Sequence, residues 1–439
     1  MSVLVFEGFL STPEMVEVFD ETAVVQAMMD FEAALARAQA KAGTIPAGAA
    51  QAIASLCRAE LYDVAAMLAA SARAGSLALP VVRKLSETVA LFDPLAAGFV
   101  HWGSSHQDLL DTAMVLQTRK ALRLIEHDLL SLCGQLLDLA ERHARTALLA
   151  RRQLQPVQVT SLRHKLLAWA SPLLRSAQAL RERVDESLLL QLDAGALGLS
   201  AQVSVLMGQE LQLPLPAMPW PTQRDRLARL AAELGVLCGS LGKLALDLAL
   251  LGQDELGELS GPVACQQALA AAQRAPQRVA ALLGCMPQQQ EGGLGNWPAE
   301  WAECCGLLLC THGAVKALAE CAEGLQPQGA RMLENIDAQR DLIFADGLGM
   351  LLAPVLGGAR ARRCVDALVA RVRQGEAPLR VLARAAVAAD PELAAGIAPA
   401  RLEAVFDVHA AAQHADERVQ AALLQARAQW LALMDGPKA

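Results

Sequence analysis

The chain has 439 residues and a formal net charge of −8, long enough for two or three domains around a large core. Hydrophobic residues make up 54% and aromatic residues 3%; Ala and Leu dominate, which favours helix over sheet. The acidic balance, with no basic tract and no aromatic platform, argues against nucleic acid as a partner.

In chain order, residues 1 to about 100 read as shorter helices broken at 43–46 and 75–80 by Gly and Pro. No basic segment with a following apolar run and cleavage site opens the chain, so a cytoplasmic location is expected. A polar cluster at 101–112 then opens a long helical pattern. In it Leu122, Ile125, Leu129, Leu132, Leu136 and Leu139 recur every three or four residues. A second helical pattern covers 161–184, where Pro172 removes one backbone donor and predicts a kink. Leu227, Leu230, Leu234, Leu237, Leu241, Leu244, Leu248 and Leu251 form an unbroken seam of alternating three- and four-residue steps, the pattern of a long helix packed nearly parallel or antiparallel to others. Part of this stretch, 234–251, is apolar enough to raise a membrane span. Lys243 and Asp247 interrupt it, so a buried bundle helix is expected and no membrane partner. Further long helices are predicted at 263–283 and 301–325. Gly347, Gly349, Pro354 and Gly357-Gly358 start a smaller helical region.

The expectation is an all-α chain in three parts: an N-terminal helical domain over 1–100, a central long-helix bundle over 101–345 and a C-terminal helical domain over 346–439. The five apolar stripes exceed what a lone bundle must bury, which points to a helical core shared with other subunits. The ten cysteines form no C-x-x-C pair and have no His or Cys partner at zinc-site spacing. They read as core residues in a reducing compartment, with no metal site. No phosphate- or dinucleotide-binding motif occurs, and no cofactor is expected.

The cluster His101-Trp102-Gly103-Ser104-Ser105-His106-Gln107-Asp108 admits two readings. Small hydroxyls, imidazoles and an amide at a helix start can face an anionic ligand. Equally, Ser105 can cap the helix with Asp108 three residues on, as a capping box. For Arg151 and Lys165 the plainer reading is a solvated helix face, and for Arg224 a surface ion pair with Asp225 or a nearby Glu. His127, His143, His164, His312, His409 and His414 have no partner at useful spacing.

The 101–112 stretch resembles the H-W-G-x-T-S-Q-D-x-x-D-T segment of the fumarase/aspartase superfamily, and most of all its bacterial 3-carboxy-cis,cis-muconate cycloisomerases. Pro219-Trp220-Pro221-Thr222-Gln223-Arg224-Asp225-Arg226 resembles P-W-H-T-Q-R-D-R of that family. Gly293-Leu294-Gly295-Asn296-Trp297-Pro298-Ala299-Glu300-Trp301 resembles G-L-G-G-W-Q-A-E-W. Arg331-Met332-Leu333-Glu334-Asn335-Ile336 resembles R-M-x-x-N-x, and 13–36 resembles the family's N-terminal helix. These pieces stand in the family's order along nearly the whole chain. The resemblance implies a fumarase/aspartase-like fold and a homotetramer with a central multi-helix bundle. It also implies reversible addition of a carboxylate oxygen across an activated double bond of a small di- or tricarboxylate, in aromatic-compound catabolism. By the same likeness His101, which keeps the family's position, is a candidate for proton transfer; His106 is a second candidate because its imidazole can titrate near neutral pH. Ser104, Ser105, Gln107, Asp108, Arg151, Gln155, Lys165, Gln223 and Arg224 are candidates for substrate binding. The site would be composite, with 104–108, 151–155 and 257–261 supplied by three subunits.

The chain departs from the family at three places. The family's mobile loop, G-S-S-x-M-P-x-K-x-N-P, carries its catalytic serine. Here Gln253-Asp254-Glu255-Leu256-Gly257-Glu258 resembles the segment before that loop and Gly261-Pro262-Val263-Ala264-Cys265 the segment after it. Only Leu259 and Ser260 stand between. Gln153 occupies the position of a general-acid histidine in some relatives, and glutamine cannot shuttle a proton near neutral pH. His106 replaces the family's serine. Three readings follow: a cycloisomerase with a remodelled site, a catalytically impaired homologue that keeps the bundle, or a divergent lyase acting on another dicarboxylate through His106.

Overall fold

The computed structural model describes residues 2–193, 198–263, 265–292 and 295–436; Ala264, Gly293 and Leu294, within the segments compared above, lie outside them. The fold is helical, with short strands at two places. Residues up to Phe92 form shorter helices, of which Glu21–Lys41 (α1) is the longest. The long helices follow: His106–Arg142 (α2), Leu162–Ser187 (α3), Asp225–Leu251 (α4), Gln266–Cys285 (α5) and Asn296–Glu323 (α6). At 1.5 Å per residue, the 37 residues of α2 span about 55 Å. The final helix, Gln420–Asp435 (α7), returns to pack on α2 and α3.

Leucine spacing explains the bundle. All eight seam leucines from Leu227 to Leu251 are buried, as are the six apolar positions from Leu122 to Leu139. α4 packs against α3, α5 and α6, while α2 packs against α3 and α6. Truncating a fully buried leucine such as Leu237 to Ala costs about 2–5 kcal/mol in such a core. The close approach of α4 to α5 depends on a missing side chain: a Cβ on Gly242 would lie 2.3 Å from Ala272 Cβ. α3 runs unbroken through Pro172.

The seams are therefore satisfied within one chain, and by themselves they do not call for a second subunit. What α4 leaves outward is different: Val236 and Leu246 are more than half exposed. α4 and α6 are long and apolar enough by length and composition to cross a membrane, but 50% and 67% of their most apolar windows are buried in the bundle.

Among the described residues most of the buried apolar side chains fall into two clusters. The larger joins the N-terminal helices to the long helices and takes in Leu423, Ala426 and Leu433 of α7. The smaller gathers helices between Ile336 and Ala412 around Ala147, Leu149 and Val159. Those three sit on a hairpin, Ala147–Arg152 (β1) and Gln155–Ser161 (β2), so Arg151 stands on a strand and not on the helix face expected for it. Its two-residue turn places Gln153 and Leu154 at φ of 50° and 63°. This left-handed pair is the form that matches strand twist, usually built with Asn or Gly. A second pair of strands joins Leu259–Ser260 (β3) to Gln326–Pro327 (β4).

Candidate active site

The polar groups singled out by sequence fall into three places. The first is built around His101. Its backbone is left-handed, φ 59°, and the turn brings it against Glu32 on the buried face of α1. Glu32 Oε2 accepts the His101 backbone N–H at 3.0 Å, and Oε1 lies 2.6 Å from Nδ1. A carboxylate that is 1% exposed must find such donors. Ser104 Oγ lies 3.1 Å from the same Nδ1. The His106 ring stacks on the His101 ring, centroids 5.5 Å apart and planes 27° apart. Burial, then the neighbouring His101, holds the His106 imidazole below its ordinary pKa. His101 Nε2 is buried and has no hydrogen-bond partner among the described residues. Glu32 was missed by sequence reasoning; the available signal was a carboxylate inside the apolar stripe of α1, next to Phe31 and Ala33.

Ser105 and Asp108 form the capping box of α2: the Ser105 side chain accepts the Asp108 N–H, and Asp108 accepts the Ser105 N–H. Asp108, 1% exposed, also accepts from Gln191 Nε2 at 2.9 Å and Asp193 N at 3.2 Å. The cap and the 191–193 segment thus occupy the two residues that resemblance made candidate ligands.

The second place lies one turn along α2. Asp111 receives two nitrogens of Arg224, at 2.8 and 3.1 Å, and the Trp297 indole N–H at 2.8 Å. Arg224 Nε donates to Glu300 at 2.7 Å, and the guanidinium packs 4.8 Å from the Trp220 ring. Gln107 Nε2 donates to Pro221 O at 2.7 Å and reaches Asp111 at 3.3 Å. Burial opposes the Arg224 charge, but Asp111 and Glu300 outweigh it and hold its pKa up. Burial raises the pKa of both carboxyls despite Arg224. Arg224 is thus neither a surface ion pair nor a free carboxylate binder: it is 2% exposed and bonded to two carboxylates. Gln223 beside it is exposed.

The third place is around Glu258, just before Leu259–Ser260. Arg151 on β1 donates through two nitrogens to Glu258, at 2.8 and 2.6 Å, and Asn335 Nδ2 donates to Glu258 at 2.9 Å. Glu258 is fully buried. Beyond it Leu259–Ser260 pair with Gln326–Pro327, and Gly261, at φ +105°, passes so close that a Cβ would lie 2.4 Å from Gly324 O. Lys165 on α3 stands 3.9 Å from Asp247 and over the Trp169 ring, not on a solvated face. Burial lowers its pKa, against the pull of Asp247, with Lys243 and Arg151 adding to the lowering. Gln155 is exposed at the start of β2.

Within one chain, then, His101, Ser104 and His106 come together, and Arg151 comes together with the 257–261 stretch. The 151–155 and 257–261 segments already meet inside a single subunit, where the resemblance had placed them on two. His312, given no partner by spacing, has two from far along the chain: Thr12 Oγ1 at 2.8 Å from Nδ1 and Asp128 Oδ2 at 2.9 Å from Nε2. All ten cysteines are free, and seven are buried. Among the described residues no group of three His, Cys, Asp or Glu side chains is arranged to hold a metal ion.

Comparison with known proteins shows the family of the chain. A family model described as lyase matches residues 9–268. The 3-carboxy-cis,cis-muconate cycloisomerase of Bradyrhizobium diazoefficiens is 36% identical, over 91% of this chain and 92% of its own. The enzyme of that name from Pseudomonas putida is also 36% identical, over 92% of this chain and all of its own. The crystal structure of the 3-carboxy-cis,cis-muconate lactonizing enzyme from Pseudomonas putida superposes with a TM-score of 0.90 at 35% identity, over 98% of this chain and 100% of that one. The chain belongs to the lyase family of the fumarase/aspartase superfamily, in the branch of the 3-carboxy-cis,cis-muconate cycloisomerases.

Proposed function

We propose that the protein is a cycloisomerase, an intramolecular lyase acting on a small di- or tricarboxylate of the 3-carboxy-cis,cis-muconate class in aromatic-compound catabolism. Full-length likeness to cycloisomerases carries the reaction. In the ring-closing direction a carboxylate oxygen of the substrate forms a C–O bond to one alkene carbon. The C=C pair moves to the carbon beside a second carboxylate, and that carbon takes a proton. The reaction needs one acid/base group and donors that hold the enolate-like charge.

The chain has no counterpart of the loop serine, and proton transfer is assigned to His101 with His106 beside it. The observation that supports this is the buried Nε2 of His101, which has no hydrogen-bond partner among the described residues. A buried nitrogen left unpaired costs about 1–3 kcal/mol, and a ligand atom there would supply the bond. Ser104, Gln107, Arg151, Gln155, Lys165 and Gln223 line the proposed site across subunits of a homotetramer in the cytoplasm. The outward apolar residues of α4, Val236 and Leu246, support assembly on that face. The division at about residues 100 and 345 belongs to the same reading.

A second reading, a ligand-binding homologue with impaired chemistry, is favoured by one observation: Leu259–Ser260 pair with Gln326–Pro327 where the family's loop would emerge. Proton NMR of 3-carboxy-cis,cis-muconate incubated with the purified full chain separates the two. Appearance of the lactone supports the first. Saturable binding with no lactone supports the second. Neither binding nor lactone overturns both.

A further inference from the structure

Glu32 belongs to none of the segments that carry the reaction, yet it is the closest polar neighbour of the His101 ring. We infer that Glu32 is the positioning residue for His101, fixing the imidazole with its proton on Nδ1 and leaving the Nε2 lone pair as the atom that exchanges a proton with the substrate carbon. The inference rests on the reading that His101 moves that proton.

Three observations carry it. Both oxygens of Glu32 are directed at one residue, one to the His101 backbone N–H at 3.0 Å and one to Nδ1 at 2.6 Å. This two-point hold fixes the ring relative to its own backbone. The 2.6 Å separation requires a proton between the atoms. With Glu32 taken as ionised, its carboxylate can only accept. Nδ1 therefore carries it. Were Ser104, at 3.1 Å, to donate to Nδ1 instead, the lone pairs of Nδ1 and Oε1 would face each other at hydrogen-bond distance. Lastly, Nε2 has no partner among the described residues, so the nitrogen that the tautomer leaves basic is the one left unoccupied there. A carboxylate behind a histidine also stabilises the imidazolium formed when Nε2 takes a proton, and releases it when the proton moves on. The left-handed backbone at His101, φ 59°, is the strained element this hold stabilises.

The test is nitrogen-15 NMR of the full chain labelled at histidine, with His101 signals identified by their loss in His101→Gln. The unmodified protein should show His101 as the Nδ1–H tautomer. Glu32→Leu should lose that preference, and Glu32→Asp should keep part of it. In turnover, Glu32→Leu should lower kcat about 100-fold with KM within about threefold, and Glu32→Asp should recover part of the loss. An Nε2–H tautomer in the unmodified chain, or an unchanged Nδ1–H tautomer in folded Glu32→Leu, overturns the inference. The first of these needs no variant to fold. If the chain proves inactive the tautomer still decides the role of Glu32. If the tautomer is lost while kcat is unchanged, it is the catalytic use of His101 that fails.

Discussion

Arg151 reaches from the 147–161 hairpin to grip both oxygens of Glu258, the residue just before the strand Leu259–Ser260, at 2.8 and 2.6 Å. The pair ties the segment before Leu259 to the hairpin, and Asn335 completes the hold. A fully buried carboxylate that loses its cation is costly, about 3–5 kcal/mol. Arg151→Ala should therefore lower the unfolding free energy by that order in urea titrations. Adding Glu258→Gln to Arg151→Ala should restore a large part, because the two changes remove one interaction. Additive losses would show that the pair is not coupled.

The closure beyond Glu258 depends on a residue without a side chain. Gly261 combines φ +105° with a backbone oxygen 2.4 Å from where a Cβ would stand. Gly261→Ala should destabilise the protein by about 1–3 kcal/mol from backbone strain, with displacement of Gly324 added. A melting temperature equal to the parent's would show that the β3–β4 pairing is not a fixed feature.

Arg224 serves two buried carboxylates, so Arg224→Leu should cost at least about 3–5 kcal/mol. The sign of its pH dependence follows from Asp111 and Glu300. Burial raises both, and a carboxyl raised in the folded state loses stability as pH climbs through that raised pKa. Without Arg224 the deficit should grow from acid toward neutral pH. A deficit largest in acid would reverse the assignment.

His106 gives the opposite slope. Its pKa is lowered, first by burial and then by His101. A lowered histidine contributes stability in full above its ordinary value of about 6.5, and loses it as pH falls toward the lowered value. His106→Asn should flatten that part of the stability profile while leaving the region above pH ~7 alone. An unchanged profile would mean that His106 is not held neutral by its surroundings.

The long helices were legible because leucine spacing is a local signal. Every seam position from Leu227 to Leu251 is buried as its spacing predicts, and the Ser105–Asp108 cap was also readable from three-residue spacing. The hairpin was not, since Gln153 and Leu154 carry no turn signature although both adopt the left-handed conformation. The site was legible only in part. The sequence marked His101 and Arg224, but their partners come from 69, 76 and 113 residues away, and no periodicity links such positions. That is why Arg224 read as a surface or substrate-binding cation and Glu32 as one more helix residue.

The most direct test of the account is steady-state turnover of 3-carboxy-cis,cis-muconate, followed by loss of its ultraviolet absorbance, with the full chain beside His101→Ala and His106→Ala. With His101 moving the proton in place of the family's loop serine, turnover should be slow but above the uncatalysed background. Removing the acid/base group should cost about two to four orders of magnitude in His101→Ala. Turnover lost in His106→Ala alone would move proton transfer to His106 and a rewired lyase. Robust turnover that both substitutions leave intact would show that neither histidine moves the proton.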